Sequence, residues 1–137
     1  MLKLAVTMKR IIFIMLFFTV VTCYFVFKNN NCQNNQAKKY SINNKNYCLL
    51  IADSQDEWEK GLMFYKKPLD FDGMIFIFPD KRVRSFWNKN TYLDLDLYWM
   101  DEDKVVNKSY LPLIIMTKNP LTVSSPREVD RAVEIIR

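Results

Sequence analysis

Five residues within ten positions carry side chains suited to holding a polar molecule: Trp87, Lys89, Asn90, Thr91 and Asp96. An indole offers a flat apolar face, while ammonium, amide, hydroxyl and carboxylate supply donors and acceptors around it. The set suits a saccharide or small polar metabolite, because a sugar's apolar face stacks on indole as its hydroxyls pair with amide and carboxylate. All five lie in SFWNKNTYLDLDLYWM (Ser85–Met100), an aromatic, strand-forming stretch broken at its centre by Asn88, Lys89, Asn90 and Thr91. If residues 91–94 form a hairpin loop, Lys89 faces Asp96 and Trp87 faces Tyr98 on one side of the ribbon. Phe86–Trp99 and Asn88–Leu97 then fall on the other side. A two-residue loop would set Trp87 against Asp96 and split the aromatics, so the first register is expected. In that register the Lys89 stem lies along the Trp87 ring, a cation–π contact of about 0.5–1 kcal/mol when exposed. The Lys89–Asp96 pair adds about 0–1 kcal/mol in water. Neither holds a fold together. A plainer reading stands beside the binding one: polar residues mark where a hairpin turns, and Trp–Tyr pairs are ordinary sheet packing.

Other chemistry is poorly supported. The chain has no histidine and three cysteines. No thiol stands beside a base and no spacing fits a metal, so no catalytic residue, cofactor or metal is expected. Lys89 beside a carboxylate would be held protonated, the wrong form for a base. An enzyme is therefore less favoured than a ligand-binding module, or than an accessory module meeting an envelope protein through the hairpin or a sheet edge. Cys32 and Cys48 could pair if the domain is exported. The favoured reading is a free Cys32 in a linker and a buried Cys48 on a strand.

The elements that must position the site occupy residues 47–137. Tyr47–Ala52 (YCLLIA) reads as a buried strand, and Ser54-Gln55-Asp56-Glu57 as a capping box opening a helix to about Met63. Met74–Phe78 (MIFIF), Arg82–Asn90, Leu93–Met100, Val105–Tyr110 and Leu113–Met116 read as further strands, with a turn at Asp101–Lys104. TKNPLTVSSPRE reads as a loop, and Ala132–Ile136 has strand composition. With one helix, about six strands and no βαβ alternation, the expected fold is mainly β (α+β). It would be a small open barrel or sandwich of short, mostly antiparallel strands with one short helix against it.

Ahead of that domain, residues 1–28 read as a signal anchor or signal peptide. Ile11–Phe27 is uncharged, follows Lys9-Arg10 and would be about 25 Å long as a helix, at the short end of a bilayer span. Its bulk and the lack of a small-residue cleavage site favour a single-pass anchor in the cytoplasmic membrane, with the domain on the periplasmic or extracellular side. Secretion after cleavage is the alternative, with a lipoprotein at Cys23 third. Residues 29–46 are Asn-rich and read as a polar linker. The net charge of +5 belongs to the N-terminal part. Residues 1–45 hold seven Lys/Arg and no acid, whereas residues 46–137 hold thirteen Lys/Arg against fifteen Asp/Glu. The folded part therefore lacks the basic footprint of a nucleic-acid binder.

EWEKGLMF (Glu57–Phe64), GMIFIFP (Gly73–Pro79) and SFWNKNTYLDLDLYWMDEDKVV (Ser85–Val106) together resemble, in order and spacing, the domain of unknown function 192 family. The resemblance covers about residues 47–136. It implies a small exported β-rich domain and no particular activity. It points to Gly61, Met63, Gly73, Met74 and Phe76 as structural motif residues, and to Leu62, Trp87, Lys89, Asn90, Thr91, Leu95 and Asp96. Asn88 stands where the family usually has Met, which implies weaker packing there. Members usually continue past the strand matching AVEI, so a shortened C-terminus is expected to leave an open sheet edge.

Overall fold

The computed structural model describes Met15, Cys32 and residues 34–137. The expected membrane segment, Ile11–Phe27, lies outside the described residues apart from Met15, and no helix among the described residues is long and apolar enough to cross a membrane. From Cys32 onward the chain is mainly β. One six-stranded sheet curls into a half-barrel, accompanied by a two-stranded ribbon and one short helix.

The first strand, β1 (Ala37–Ile42), falls where a linker was expected. It pairs antiparallel with β2 (Lys45–Ala52) through Asn43 and Asn44, whose φ values of 49° and 64° suit a tight two-residue turn. Ala37 and Ile42 are buried while the residues between them meet solvent. An edge strand with one wet face has the composition of a tether, which is why residues 37–46 read as one. Cys32 is bridged to Cys48 of β2, correcting the expectation of two free thiols. The bridge fastens the segment before β1 to the second strand of the sheet.

Glu57 caps the helix α1 (Gln55–Lys60) as the S-x-x-E pattern predicts: its Oε2 accepts from the amides of Asp53 and Ser54 at 3.0 and 3.1 Å. Ser54 Oγ donates to the same oxygen at 2.7 Å, and these bonds hold the Glu57 carboxyl below the usual carboxylate range. The helix stops at Gly61, three residues sooner than expected, because Gly61 takes φ +46°. Trp58 folds back and donates its indole N–H to the Ala52 carbonyl at 3.0 Å. β3 (Gly73–Arg82) then runs parallel to β2, so strand, helix and strand form a crossover that the sequence reading did not foresee. Pro79 ends the regular ladder without ending the strand. β3 keeps register with the last strand to Ile77, then shifts before Arg82, because proline offers no amide to the ladder.

β4 (Ser85–Trp87) does not pair with β5 (Leu95–Asp101). It forms the separate ribbon with β7 (Thr122–Ser124), a strand inside the expected loop. β5 turns at Glu102-Asp103 into β6 (Lys104–Leu111), as predicted. The expected strand at Leu113–Met116 is a single 3-10 turn, Ile114–Met116. β8 (Val129–Ile136) lies in the middle of the sheet, whose order is β1-β2-β3-β8-β5-β6. The edges are β1 and β6, so the C-terminal strand leaves no open edge beside itself.

Each face of the sheet has its own apolar cluster. On the inner face Leu50, Met74, Phe76, Leu97, Trp99 and Ala132 pack with Leu62 and Phe71 from the crossover. On the outer face Leu49, Ile75, Met100, Val133 and Ile135 pack with Ile42 and Tyr47. A strand buried on both faces loses the alternating pattern, which explains why MIFIF and AVEII read as continuous apolar runs.

Candidate ligand groove and a buried carboxyl

The predicted site residues separate into two groups. Trp87 ends β4 with 46% of its surface exposed, and Lys89 Nζ lies 4.8 Å from its ring centroid, as the same-face spacing predicts. Asn88 to Thr91 make a tight turn: the Thr91 amide donates to the Asn88 carbonyl at 3.1 Å, and Asn90 takes φ +55°. The Asn90 carbonyl accepts from the Phe64 amide at 2.9 Å, tying the GLMF segment to this turn. Thr91 is buried, and its Oγ1 donates to the Lys89 carbonyl at 3.3 Å. These four residues come together.

Asp96 does not join them. The expected hairpin register is not formed, and Asp96 is opposite Ile135 on β8 and Tyr110 on β6. Its side chain therefore leaves by the outer face, where Oδ2 meets Lys108 Nζ at 2.8 Å and Oδ1 lies 3.6 Å from Arg137 Nε. The Lys108 ammonium is held above its ordinary pKa, chiefly by that hydrogen bond. Trp87 likewise faces Thr122 rather than Tyr98. Of the expected pairs, Phe86–Trp99 is in contact, as an edge-on pair at 5.5 Å across the inner core rather than as strand partners.

Asn88 also has a different role from the one expected. It is fully buried, and its amide braces the loop between β6 and β7. Nδ2 donates to the Pro112 carbonyl at 2.8 Å and to Thr117 Oγ1 at 3.1 Å, while Oδ1 accepts from the Leu121 amide at 2.7 Å. With every polar atom satisfied, a buried Asn positions backbone that Met could not hold.

The motif residues converge on a group that the sequence reading passed over, Glu134. The chain has two glycines, and both lie against it. A Cβ on Gly73 would stand 1.9 Å from the Glu134 carbonyl oxygen, so β3 can approach β8 this closely only through glycine. A Cβ on Gly61, already at a φ that disfavours side chains, would stand 3.3 Å from the Phe76 ring and 3.8 Å from Glu134 Oε2. Met74 is the strand partner of Glu134 on β3, Leu97 its partner on β5. Glu134 thus projects from the inner face with 4% exposure, and its Oε2 has no hydrogen-bond partner. Burial pushes its carboxyl up to about 8. An acid inside the apolar run AVEII was the sequence signal, since unpaired glutamate is seldom fully buried.

Glu134 opens onto a cavity of about 20 Å³ shared with Trp58, Gly61, Phe76, Trp87 and Thr91. Trp58, Phe76, Phe86 and Trp87 also line a groove of about 700 Å³ between α1 and the β3–β4 turn. Arg82 and Arg84 stand on the far wall of that groove. Both contact the Asp80 carboxylate at 2.5 and 2.6 Å and hold it below the usual carboxylate range, Arg82 most strongly. The Arg84 guanidinium also lies 3.9 Å from the Phe78 ring centroid, with its Nε unpartnered.

A half-barrel sheet accompanied by one short helix, with an aromatic groove over a buried acid, defines a small, mainly β domain. The chain belongs to the DUF192 family: residues 37–137, from the start of β1, match the family model, described as "Uncharacterized ACR". Two crystal structures share the fold. One, provisionally described as a transcription regulator, comes from Sinorhizobium meliloti 1021. It is 22% identical with a TM-score of 0.57, over 73% of this chain and 78% of that one. The other, a protein of unknown function from Novosphingobium aromaticivorans DSM 12444, is 24% identical with a TM-score of 0.57, over 73% of this chain and 71% of that one. No curated protein matches the chain.

Proposed function

We propose that this chain is a membrane-tethered extracytoplasmic module that binds a saccharide or other small polar ligand in the groove between α1 and the β3–β4 turn. One observation carries the reading. A half-exposed indole, Trp87, borders both an open groove and a smaller cavity floored by a carboxyl with no partner in the protein. Buried polar groups without partners are rare, and at a concave aromatic surface they are where ligands are held. Trp87 supplies the stacking face, Lys89 beside it a donor, and Thr91 and Glu134 the polar groups beneath. Asp96 has no part in it. The tether rests on the uncharged run Ile11–Phe27, and the Cys32–Cys48 bridge supports an oxidising compartment.

Two of the three tryptophans, Trp58 and Trp87, border the groove, so ligand should change the indole fluorescence of the full-length protein in detergent. A panel of mono- and disaccharides and polar metabolites should yield saturable quenching that Trp87→Ala abolishes. Absence of saturable quenching across the panel would remove the reading. Protease protection in spheroplasts tests the orientation separately: the domain should be cleaved from outside.

A second reading has its own support. Ile115, Met116 and Leu121 stand exposed on the loop that Asn88 braces, as an apolar surface for an envelope protein. Co-purification that survives Trp87→Ala but not Ile115→Asp would favour it. The regulator description of the Sinorhizobium meliloti protein is not carried over. Residues 37–137 here hold sixteen Lys/Arg against fifteen Asp/Glu, too even a balance to track a phosphate backbone.

A further inference from the structure

We propose that the cavity at Glu134 is a subsite for a primary ammonium group, so that the groove's ligand is an amine-bearing polar molecule such as an amino sugar. The inference rests on the binding reading above and narrows the class of ligand.

Size comes first. A cavity of about 20 Å³ admits roughly one water-sized group, since a single probe sphere needs about 10–15 Å³. An ammonium head has that size; a sugar ring or a carboxylate does not. Both glycine positions protect the space, because a Cβ on Gly61 would enter it beside Oε2 and one on Gly73 would displace the strand that carries Glu134.

The chemistry of the walls comes second. Trp58, Phe76, Phe86 and Trp87 surround the opening, and aromatic faces attract a cation, most strongly where water is excluded. The Trp58 N–H is already committed to the Ala52 carbonyl, so that ring offers the cavity no competing donor. Glu134 Oε2, nine-tenths buried and unpartnered, is an acceptor waiting for a donor. An anion would meet a carboxyl at the floor and Glu59 at the rim.

The charged neighbours are few. Strands β3 and β5 present Met74, Phe76 and Leu97 to Glu134, and the β4 side presents Phe86, Trp87 and Thr91. From α1 come Glu59 and Lys60, both exposed at the rim. Glu59 favours a cation, while the Lys60 ammonium, unpaired with Glu134, is the competing cation at the rim.

The proton balance gives the signature. The empty site keeps a protonated carboxyl below about pH 8. The arriving ammonium brings its own protons and binds the ionised carboxylate, so Glu134 releases one proton to water. Affinity for a simple alkylammonium should therefore rise about tenfold per pH unit up to about 8, then level off until that amine loses charge near pH 10. An amino sugar, whose amine is made more acidic by the neighbouring oxygens, should rise less steeply and turn over sooner.

The test uses the full-length protein in detergent with two probes. Carboxyl 13C NMR follows the Glu134 titration with methylammonium chloride or sodium chloride at equal ionic strength. The midpoint should fall by at least one pH unit in methylammonium only; an unmoved midpoint overturns the proposal. In parallel, tryptophan quenching compares glucosamine with glucose at pH 6, 7 and 8. Glucosamine should bind at least tenfold tighter at pH 8 than at pH 6, glucose should not gain, and Glu134→Gln should erase the difference. Equal binding of both sugars at every pH would retain the groove but refute the ammonium subsite. A methylammonium shift without any sugar quenching would retain the subsite and refute the saccharide reading. If Glu134→Gln does not fold, the wild-type titration still decides the matter.

Discussion

Asp96 on β5 and Glu134 on β8 lie one register position apart on neighbouring strands, yet their carboxyl groups leave the sheet by opposite faces. On the outer face Asp96 reaches two cations and keeps partial contact with water. On the inner face Glu134 meets apolar side chains and has one oxygen with no partner. An acid of the first kind is tied into the surface and can be explained by the fold. One of the second kind costs the fold stability when ionised, and the fold offers no compensation for it. The difference between them separates an acid held by its neighbours from one that is available to a ligand.

The sharpest way to break that contrast is through pH. Folded Glu134 keeps its proton to about pH 8, whereas a carboxyl with the ordinary value of 4.5 loses it much earlier. Between those values the folded state binds more protons than the unfolded one, so stability falls as pH rises. Over the whole window the loss is on the order of 4 kcal/mol. Urea denaturation at pH 5 and pH 9 should show wild type losing that much relative to Glu134→Gln. Parallel behaviour of the two would mean that Glu134 is not a buried, unpaired acid.

Gly73→Ala tests whether the backbone beneath Glu134 can yield. Its Cβ would overlap the Glu134 carbonyl, and both strands are interior to the sheet, so neither can swing away. A loss of at least about 3 kcal/mol is expected in the same denaturation experiment. A loss below 1 kcal/mol would show that β3 and β8 stand farther apart.

What the sequence made legible follows from range. Tyr47–Ala52 and Met74–Phe78 are legible because burial on both faces writes an apolar run into the chain, and Leu93–Met100 and Val105–Tyr110 because strand formers there flank a local acidic turn. Glu57 was found because a capping box is local. The Lys89–Trp87 contact is local too, between the last residue of β4 and the turn two residues on. Asp96 was misplaced because its pairing is not local. The assumed hairpin gave chemically sensible pairs on both faces, but β5 met β6 and β8 instead, and three-residue β4 found β7 more than thirty residues away. β1 was hidden by its wet face, and the parallel β2–β3 pair by a crossover whose helix is only six residues long. Glu134 was visible as an acid among apolar neighbours, but only the two glycines packed against it reveal its importance.

Asn88→Ala sharpens the contrast from the other side, by removing a buried polar group that is fully partnered. The Pro112 carbonyl and the Leu121 amide would each lose a partner, for a cost of about 2 kcal/mol. Unlike that of Glu134→Gln, the cost should not change between pH 5 and pH 9, since no proton is involved. Faster amide exchange should be confined to residues 112–121.

The smallest effect is expected at Asp96, and its smallness is what the comparison requires. Lys108 is half exposed, so its ion pair with Asp96 is solvent-screened and Asp96→Asn should cost only about 0.5–1 kcal/mol. The Lys108 pKa is raised in the fold, so the stabilisation is complete below the unfolded lysine value of about 10.4 and fades only as pH climbs through the folded one. Between pH 5 and pH 9 the Asp96→Asn penalty should accordingly stay flat, in the window where Glu134→Gln changes most. Sugar quenching should also be unaltered in Asp96→Asn, because that side chain lies on the face opposite the groove. A loss of quenching there would reunite Asp96 with Trp87 and Lys89 and place the ligand on the outer face, against the strand register that separates them.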